Sequence, residues 1–308
     1  MDGKSFINTE KKYLSNLKDL IKNNKIKEAI KLLNEVEKKG FSEVFINNLI
    51  YLLLESKLKN QENVVSFFDG LIIDEIKRGG AFSSRAHSAF RNFLNSKENR
   101  FIDFESRSQE NCNISNQNRT SEMSVVLSQG THSVFHWKNY MAFKSVFDLA
   151  IYSMLITELK PNIIIEIGSG KGGSAIWLAD MMKILGLEPK VYSYDINKPN
   201  INYLGVNFFQ FDLNNLGNKK EEFPESEDWT GVKLVIEDAH ANIPTVLNTI
   251  DNTLNKGDYF IVEDSDIKQK ELKSFILKSK NNYLLDKYFL DFFGRNGTSA
   301  KNSIFKIG

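Results

Sequence analysis

Residues 162–174 read NIIIEIGSGKGGS, and this stretch decides the fold. The β-branched run Ile163–Ile167 predicts a buried strand. The glycines that follow predict a tight turn in which the backbone approaches a ligand, since a Cβ would obstruct that approach. Residues 174–185 then carry the apolar pattern of a helix. A strand, a glycine-rich turn and a helix, in this order, predict a site whose backbone N–H groups face a bound ligand.

Short apolar runs alternate with helical stretches on both sides of this turn. Further strands are predicted at 190–196, 206–211, 233–238 and 258–264, and helices at 147–159 and 243–254. This alternation predicts a mostly parallel sheet covered by helices on both faces. The last segments, YLLDKYFLDFF and NSIFKIG, predict a final pair of strands. The predicted fold class is therefore α/β, with a Rossmann-like sheet.

The chain divides into three zones by composition. Residues 1–93 predict a small all-helical domain, with apolar stripes at 13–21 and 26–33 and further helices at 43–57 and 64–77. Residues 94–130 are polar and predict a linker or loop. Residues 131–308 form the α/β domain. We expect the helical domain to support a homo-oligomer or to act as a lid.

Composition excludes several classes of protein. The 308 residues are 41% hydrophobic and 26% charged, with a net charge of +1, which is ordinary for a globular protein and gives no field for nucleic acid or membrane. The single cysteine, Cys112, excludes an internal disulfide framework. There is no apolar run of signal-peptide or membrane-span length. We expect a cytoplasmic protein that acts on a small molecule.

Acidic residues at the first strand ends indicate the ligand. Asp195 ends the second strand of the unit, where an acid hydrogen-bonds ribose hydroxyls of an adenosine cofactor. Glu166 precedes the first glycine by two residues, and a carboxylate there favours the cationic S-adenosylmethionine over a dinucleotide. Cofactor contacts are predicted for Glu166, Gly168, Ser169, Gly170, Gly173, Ser174 and Asp195.

Two later strands end in pairs of acids, Glu237-Asp238 and Glu263-Asp264. In an open α/β sheet the ligand lies outside the carboxyl ends of the strands, so both pairs should converge beside the glycine turn. Carboxylates gathered in one place repel unless a cation joins them, and oxygen ligands suit Mg²⁺ or a similar hard ion. The four acids are therefore predicted metal ligands. His240 follows closely and is the predicted catalytic base, with Asp238 beside it.

The motif EIGSGKG resembles the first motif of class I methyltransferases. The longer segments ELKPNIIIEIGSGKGGSAIWLADMM, VIEDAH and GDYFIVEDSD resemble the cephalosporin hydroxylase-like/rhamnosyl O-methyltransferase family, and are similar also to sugar O-methyltransferases of macrolide biosynthesis. The resemblance covers residues 131–308. It implies a Mg²⁺-dependent enzyme that methylates a hydroxyl of a small natural product or sugar, with Asp212 beside the adenine. Many relatives carry aspartate where this chain has Glu237, so the choice between Glu237 and Asp238 as ligand stays open.

Substrate contacts are predicted on two segments. The aromatic stretch 130–145 precedes the sheet and offers His136, Trp137 and Tyr140, while Arg295 lies in a turn near the C-terminus. Three other functions compete with the leading one. They are N-methylation of an amine or peptide, a nicotinamide-dependent oxidoreductase that uses the same glycine turn, and a hydroxylating or non-enzymatic partner protein that works through its helical region.

Overall fold

The computed structural model describes residues 3–23, 25–42, 45, 48–49, 52–53, 95, 100–109, 122–214, 223–240, 243–294 and 296–308. The predicted helix at 64–77, most of that at 43–57, and Arg295 lie outside these residues. The chain divides into two compact units, one formed by 1–99 with 109–117 and the other by 100–108 with 118–308.

Two helices of the first unit are α1, Gly3–Lys22, and α2, Ile26–Lys38. Their apolar faces meet, and Leu17, Ala29 and Val36 are fully buried. Both helices contain the stripes predicted from the sequence. The assignment of residues 1–93 to an all-helical domain stays a prediction, because only part of that range is described.

Mostly parallel strands form the centre of the second unit. Their bounds are β1 Phe101–Ile102, β2 His136–Trp137, β3 Tyr140–Met141, β4 Ile163–Ile167, β5 Val191–Asp195, β6 Val206–Gln210, β7 Lys233–Glu237, β8 Tyr259–Val262, β9 Tyr283–Asp286 and β10 Ile304–Ile307. Strands β2 and β3 form a separate hairpin. Within the described residues, the other eight form one sheet in the order β1-β9-β10-β8-β7-β4-β5-β6.

The order of the strands creates a crevice. Strands β4 to β8 run parallel, whereas β10 is antiparallel to β8 and β9. The chain runs outwards from β4 to β6 and returns to β7 on the other side of β4. The carboxyl ends of β4 and β7 therefore form a topological switch point, where ligands bind in open α/β sheets.

Helices cover the sheet. Those of the second unit are α3 Phe104–Gln109, α4 Glu122–Leu127, α5 Val146–Leu159, α6 Gly173–Ile184, α7 Ile243–Asp251, α8 Gln269–Ile276 and α9 Lys287–Leu290. Every residue of β4 and of β7 is buried, as expected for strands covered on both faces. The predicted α/β fold with a mostly parallel sheet is confirmed. No helix in the described part of the chain has the length and hydropathy of a membrane span.

Local sequence fixes helix α5. Ser145 caps its first turn by accepting a hydrogen bond from the backbone N–H of Asp148 at 3.0 Å. The helix ends at Leu159. Its C-cap residue, Lys160, has a left-handed φ of 49° and precedes Pro161, and a proline disfavours a helical conformation in the residue before it. The helix thus starts and stops where the sequence predicts, and its first residues are held at the edge of the crevice.

Two segments differ from their predicted conformation. Residues 287–290 are helical, so the first of the two C-terminal strands is shorter than predicted. The two strands do pair with each other, in antiparallel orientation. Residues 100–109, assigned to a linker, supply strand β1 and helix α3. Strand β1 pairs with β9 and extends the sheet. The predicted boundary at residue 131 therefore falls inside the second unit.

Candidate active site

A cavity of about 510 Å³ lies at the carboxyl ends of the parallel strands. It is lined by Gln129, Phe143, Lys144, Gly168, Ser169, Gly170, Ser174, Tyr194, Asp195, Ile196, Phe211, Asp212, Leu213, Asn214, Asp238, Ala239, His240, Glu263 and Asp264. Its volume is in the range of small-molecule sites, roughly 300–1,000 Å³. The strand order arranges the lining in sequence, with the loops after β6 and β5 at one end, the glycine turn in the middle, and the loops after β7 and β8 at the other end.

The pairing of the strands brings the acids together. Ile167 lies opposite Glu237, which lies opposite Val262. The ladder continues beyond these residues, because Asp238 N donates to Ile167 O at 2.7 Å and Glu263 N donates to Glu237 O at 2.8 Å. Side chains that follow the three strand ends are therefore neighbours, as the sequence predicts.

Close packing explains two of the glycines in the turn. A Cβ on Gly168 would lie 2.6 Å from the backbone carbonyl of Asp238, so this glycine allows the loops after β4 and β7 to touch. A Cβ on Gly173 would lie 2.2 Å from the carbonyl oxygen of Met141. The β2–β3 hairpin therefore packs directly onto the first turn of α6. Both glycines thus serve the assembly of the crevice walls, and Gly168 also lines the cavity.

Replacing Gly173 with alanine is expected to destabilise the second unit by about 1–3 kcal/mol, because the hairpin must move away from α6. The effect is opposed by the helix preference of alanine, which favours it over glycine by up to about 1 kcal/mol. Urea unfolding followed by tryptophan fluorescence measures the change. Lys171→Ala is the control, since Lys171 is exposed on the same turn. A Gly173→Ala protein as stable as wild type would contradict the packing argument.

The middle of the turn faces the cavity. A Cβ on Gly170 would meet only Phe143 Cδ2, at 3.9 Å, so the space beside this glycine is open. The Gly170 N–H donates to Asp195 Oδ2 at 2.8 Å, and Asn197 N donates to Oδ1 at 2.9 Å. Ser169 Oγ is buried and has no hydrogen-bond partner among the described residues. A ligand in the cavity would satisfy this hydroxyl and the remaining lone pairs of Asp195.

The end of the cavity beyond Asp195 is partly apolar. Ile196, Phe211 and Leu213 line it together with the carboxylate of Asp212. The ring of Tyr194 lies edge-on to that of Phe211, with centroids 6.1 Å apart. A flat aromatic group would fit between such side chains. The position of Asp212 beside an adenine stays a prediction from the resemblance.

Glu166 lies beneath the turn. It is fully buried, is absent from the lining of the cavity, and its Oε2 accepts from Ser193 Oγ at 3.0 Å. Burial raises the pKa of this carboxyl, although the nearby Lys144 ammonium opposes the rise. The cofactor contact predicted for Glu166 is therefore not direct in this arrangement. Glu166 is the next-to-last residue of a strand that is buried on both faces, and its carboxylate is held by Ser193 of the neighbouring strand β5.

A lysine joins two of the predicted metal ligands. Lys144 Nζ lies 2.6 Å from Asp238 Oδ2 and 2.8 Å from Glu263 Oε1, and its side chain is only 3% exposed. Burial lowers the pKa of Lys144, but Asp238, Glu263 and Glu166 outweigh burial and raise it well above the usual value. The lysine is therefore an ammonium, held between two carboxylates. It lies at the end of the cavity formed by the loops after β7 and β8 (the chemical end).

Glu263 is the more buried of these two carboxylates. Besides the Lys144 ammonium, it accepts a short hydrogen bond from the Tyr152 hydroxyl. Burial, followed by repulsion from Asp238, raises the pKa of Glu263 well above its usual value, against the opposing effect of Lys144. A further positive charge near Glu263 would favour its ionised form.

The structure distinguishes Glu237 from Asp238. Neighbouring residues of a strand point to opposite faces, so Asp238 reaches the cavity whereas Glu237 is buried below it and pairs with Lys268 Nζ at 2.8 Å. Burial raises the pKa of Glu237 to about 7 despite this partner. The metal-ligand role predicted for Glu237 does not agree with this position, because its charge is already balanced by a buried lysine.

Asp264 and His240 lie at the mouth of the cavity. His240 Nε2 is 3.8 Å from Asp264 Oδ2, and both side chains are well exposed. Asp264 adopts a left-handed φ of 45°, which is uncommon for a residue other than glycine and turns the chain at the end of β8. Although 48% of the Asp264 side chain is exposed, partial desolvation beside the cavity, followed by repulsion from Asp238, raises the pKa of its carboxyl.

The acids fit a cation but are not gathered around one metal position. Among the described residues, no group of three or more histidine and acidic side chains is close enough to hold a metal ion. Two carboxylate oxygens nevertheless converge on one point, which the ammonium of Lys144 fills. The remaining donor, Asp264, lines the same cavity. The oxygen donors suit a hard divalent cation, and the convergence point attracts positive charge.

The aromatic residues predicted to contact substrate lie elsewhere. None of His136, Trp137 and Tyr140 is among the lining residues of the cavity. They lie on the β2–β3 hairpin, which packs against α6, and Trp137 Nε1 donates to Asp180 Oδ2 at 2.7 Å. The predicted substrate role is therefore not supported for these three. Arg295 is outside the described residues, and the nearby Thr298 is buried and bonded to Asp148.

Nine lining residues are not among the predicted site residues, namely Gln129, Phe143, Lys144, Tyr194, Ile196, Phe211, Leu213, Asn214 and Ala239. Phe143 and Lys144 lie just before α5, in the aromatic segment 130–145 that also contains the predicted substrate contacts His136, Trp137 and Tyr140. A lysine next to a helix cap carries no local signal of its function. Only the partners of Lys144, which follow β7 and β8, identify it.

Residues 129–210 match the family described as Rhamnosyl O-methyltransferase/CmcI. The predicted resemblance is confirmed. The match spans the β2–β3 hairpin, the glycine turn and strands β4 to β6. It therefore includes the end of the cavity at Asp195 and the middle at Gly170, but not the acids that follow β7 and β8.

Curated relatives carry the same description. A rhamnosyl O-methyltransferase of Mycobacterium leprae is 30% identical over 144 residues, which cover 42% of this chain and 60% of the relative. Rhamnosyl O-methyltransferases of Mycobacterium bovis and Mycobacterium tuberculosis are 25% identical over 138 residues, which cover 41% of this chain and 54% of each relative. The chain thus spans little more than half the length of the curated relatives it matches.

Solved structures are also similar. CmcI in a form described as Mg-SAM is 23% identical with a TM-score of 0.49, and the match covers 58% of this chain and 78% of CmcI. The MycE methyltransferase of the mycinamycin biosynthetic pathway, in complex with Mg and SAH, is 20% identical with a TM-score of 0.33, over 42% of this chain and 35% of MycE.

Proposed function

We propose that this chain transfers a methyl group from S-adenosylmethionine to a hydroxyl of a small, sugar-like acceptor. One observation carries the proposal. A single cavity has a ribose-type acid, Asp195, bonded to the glycine turn at one end, and the carboxylates of Asp238, Glu263 and Asp264 at the other end. The names of the mycobacterial relatives support a rhamnose-like acceptor.

Residues near the glycine turn would bind the methyl donor. The donor supplies a methyl group on a positively charged sulfonium. Asp195 would accept hydrogen bonds from the ribose hydroxyls, and the apolar side chains of Ile196 and Phe211 would enclose the adenine beside Asp212. The unpartnered Ser169 hydroxyl would hydrogen-bond the methionine end, which leaves the methyl group directed towards the loops after β7 and β8.

Residues after β7 and β8 would orient the acceptor and remove its proton. As the new O–C bond forms and the S–C bond breaks, the acceptor hydroxyl must lose a proton. His240 lies at the mouth of the cavity beside Asp264, and imidazole is the side chain best suited to take up a proton near neutral pH. Alignment of the two reactants supplies much of the rate enhancement in such a displacement.

A divalent cation, Mg²⁺ in the first instance, belongs to the proposal. Asp238, Glu263 and Asp264 are the residues that would hold it, since all three line the cavity and offer carboxylate oxygens. Bound there, the ion would lower the pKa of a neighbouring hydroxyl and so assist its ionisation. Glu237 is not part of this set, because it is paired with Lys268.

Calorimetric titration with S-adenosylmethionine tests the donor site. Asp195→Ala is expected to weaken binding about 10- to 100-fold, as for the loss of hydrogen bonds to a charged group. Part of the loss will come from the glycine turn, since Asp195 also holds the Gly170 N–H. Asp195→Asn, which keeps one oxygen acceptor, should give an intermediate affinity.

Lys171→Ala is the matched control in this titration, because the residue is exposed on the same turn, and it should bind like wild type. Unchanged affinity of Asp195→Ala would contradict the ribose role. Titration with NAD, in parallel, distinguishes the oxidoreductase alternative. Binding of NAD without binding of S-adenosylmethionine would overturn the proposed function.

The remaining sequence predictions extend this proposal. We infer a homo-oligomer assembled through the helical N-terminal region and a cytoplasmic location. Sedimentation of the full chain would measure its oligomeric state. A variant that carries charged residues at the apolar positions of α1 would show whether that state depends on the helical region.

A further inference from the structure

Lys144 is the described basic side chain most deeply placed in the cavity. Its ammonium touches Asp238 and Glu263 at 2.6 and 2.8 Å, with 3% of the side chain exposed. Three carboxylates, those of Asp238, Glu263 and Asp264, thus share the chemical end of the cavity with one ammonium. The cluster thus contains two more carboxyl groups than ammonium groups.

The main chain of Lys144 is fixed while its side chain is long. Its N–H donates to Ala142 O at 3.0 Å, and the next residue, Ser145, caps α5. Asp148 in the first turn of α5 accepts from Ser299 N at 3.1 Å, which ties this turn to the C-terminal segment. The four-carbon stem crosses from there to the ends of β7 and β8. Rotation about its bonds can withdraw the ammonium without moving the backbone.

Two cations cannot occupy the same carboxylate pair. A Mg²⁺ ion requires oxygen ligands at about 2.0–2.1 Å, and one oxygen of each carboxylate, Asp238 Oδ2 and Glu263 Oε1, already contacts Lys144 Nζ. With the ammonium still in place, the ion and the nitrogen would lie within a few ångströms of each other and repel strongly in a buried site. Entry of the metal therefore requires the ammonium to leave.

We propose that Lys144 and a divalent cation bind the Asp238–Glu263 pair in mutually exclusive fashion, with the lysine holding the two carboxylates together in the metal-free protein. This rests on the proposed function, since it concerns the metal position of that site. When the metal binds, the ammonium swings into the cavity, which brings it close to the acceptor. Lys144 is therefore a positioning residue for the carboxylates and a competitor of the metal.

Binding of Mn²⁺ alone tests the competition directly. Mn²⁺ shares the oxygen ligands of Mg²⁺ and is counted by electron paramagnetic resonance. In the full chain without S-adenosylmethionine, Lys144→Met is expected to bind Mn²⁺ at least about tenfold more tightly than wild type, which corresponds to 1.4 kcal/mol. Lys138→Met is the control for net charge, because Lys138 is half-exposed on the hairpin and pairs with Asp180. Equal or weaker Mn²⁺ binding by folded Lys144→Met overturns the proposal.

A second measurement uses the wild-type chain and does not depend on the folding of a variant. Acetic anhydride labels exposed lysines, and mass spectrometry reports the label at each position. Saturating Mn²⁺ should raise the labelling rate of Lys144 several-fold and leave that of Lys138 unchanged. An unchanged or lower rate at Lys144, or no Mn²⁺ bound by the wild type and the variant, overturns the proposal. Neither measurement includes S-adenosylmethionine, so failure of the donor site shows separately in its own titration.

Discussion

Asp238→Asn is expected to lower methyl transfer about a thousandfold, close to 4 kcal/mol in the barrier, while S-adenosylmethionine binding stays within about threefold of wild type. The carboxylate lies at the chemical end of the cavity, 2.6 Å from the Lys144 ammonium, and Asp195, the proposed ribose ligand, lies at the other end. Loss of its charge removes a ligand of the proposed metal and one partner of Lys144. Both changes act where charge develops during the reaction.

The measurement uses tritiated S-adenosylmethionine and a panel of rhamnosides as acceptors. Glu237→Gln is the matched control, because it changes the neighbouring carboxylate, which is buried outside the cavity and pairs with Lys268. This control should lower the free energy of unfolding, since it leaves Lys268 without its charged partner, and should keep turnover of the folded enzyme within about threefold. A large loss of turnover in Glu237→Gln but not in Asp238→Asn would reverse the assignment of the two acids.

The sequence is sufficient to predict the parallel part of the sheet and the place of the site. Runs such as Ile163–Ile167 are buried on both faces, so their composition reports the strand directly. A strand end followed by glycines or acids marks the same edge of the sheet in every parallel strand. For that reason the sequence predicts that Gly170, Asp195 and Asp238 lie at one site, and all three line one cavity.

What the sequence leaves undetermined depends on contacts between distant segments. Which of Glu237 and Asp238 faces the cavity depends on where β7 ends, because successive residues of a strand point to opposite faces of the sheet. The aromatic residues of the hairpin look like ligand contacts, yet Trp137 is held by Asp180 on α6. Lys144 has no local signal, since its partners follow strands that lie about a hundred residues further along.

The polar segment around Arg107 is a further case in which contacts with distant residues decide the structure. Arg107 is 1% exposed, and its guanidinium donates to Asp291 Oδ2 at 2.8 Å and to Oδ1 at 2.6 Å. Asn302 Oδ1 accepts from Nε at 3.0 Å. The partners are 184 and 195 positions away, so the segment resembles a solvated linker in sequence although it is tied to the C-terminal part of the sheet unit.

Arg107→Met is therefore expected to destabilise the second unit by about 3–5 kcal/mol, because it leaves the buried Asp291 carboxylate without its cation. Urea unfolding followed by tryptophan fluorescence isolates this unit, since the three tryptophans of the chain, Trp137, Trp177 and Trp229, all lie in it. The control is Asp266→Asn, which removes an exposed partner of Lys301 and should cost less than about 1 kcal/mol. If residues 100–109 were a linker, Arg107→Met would unfold at the same urea concentration as the control. A midpoint well below that of the control would instead show that the stability of the parallel sheet requires a segment far upstream of its first parallel strand.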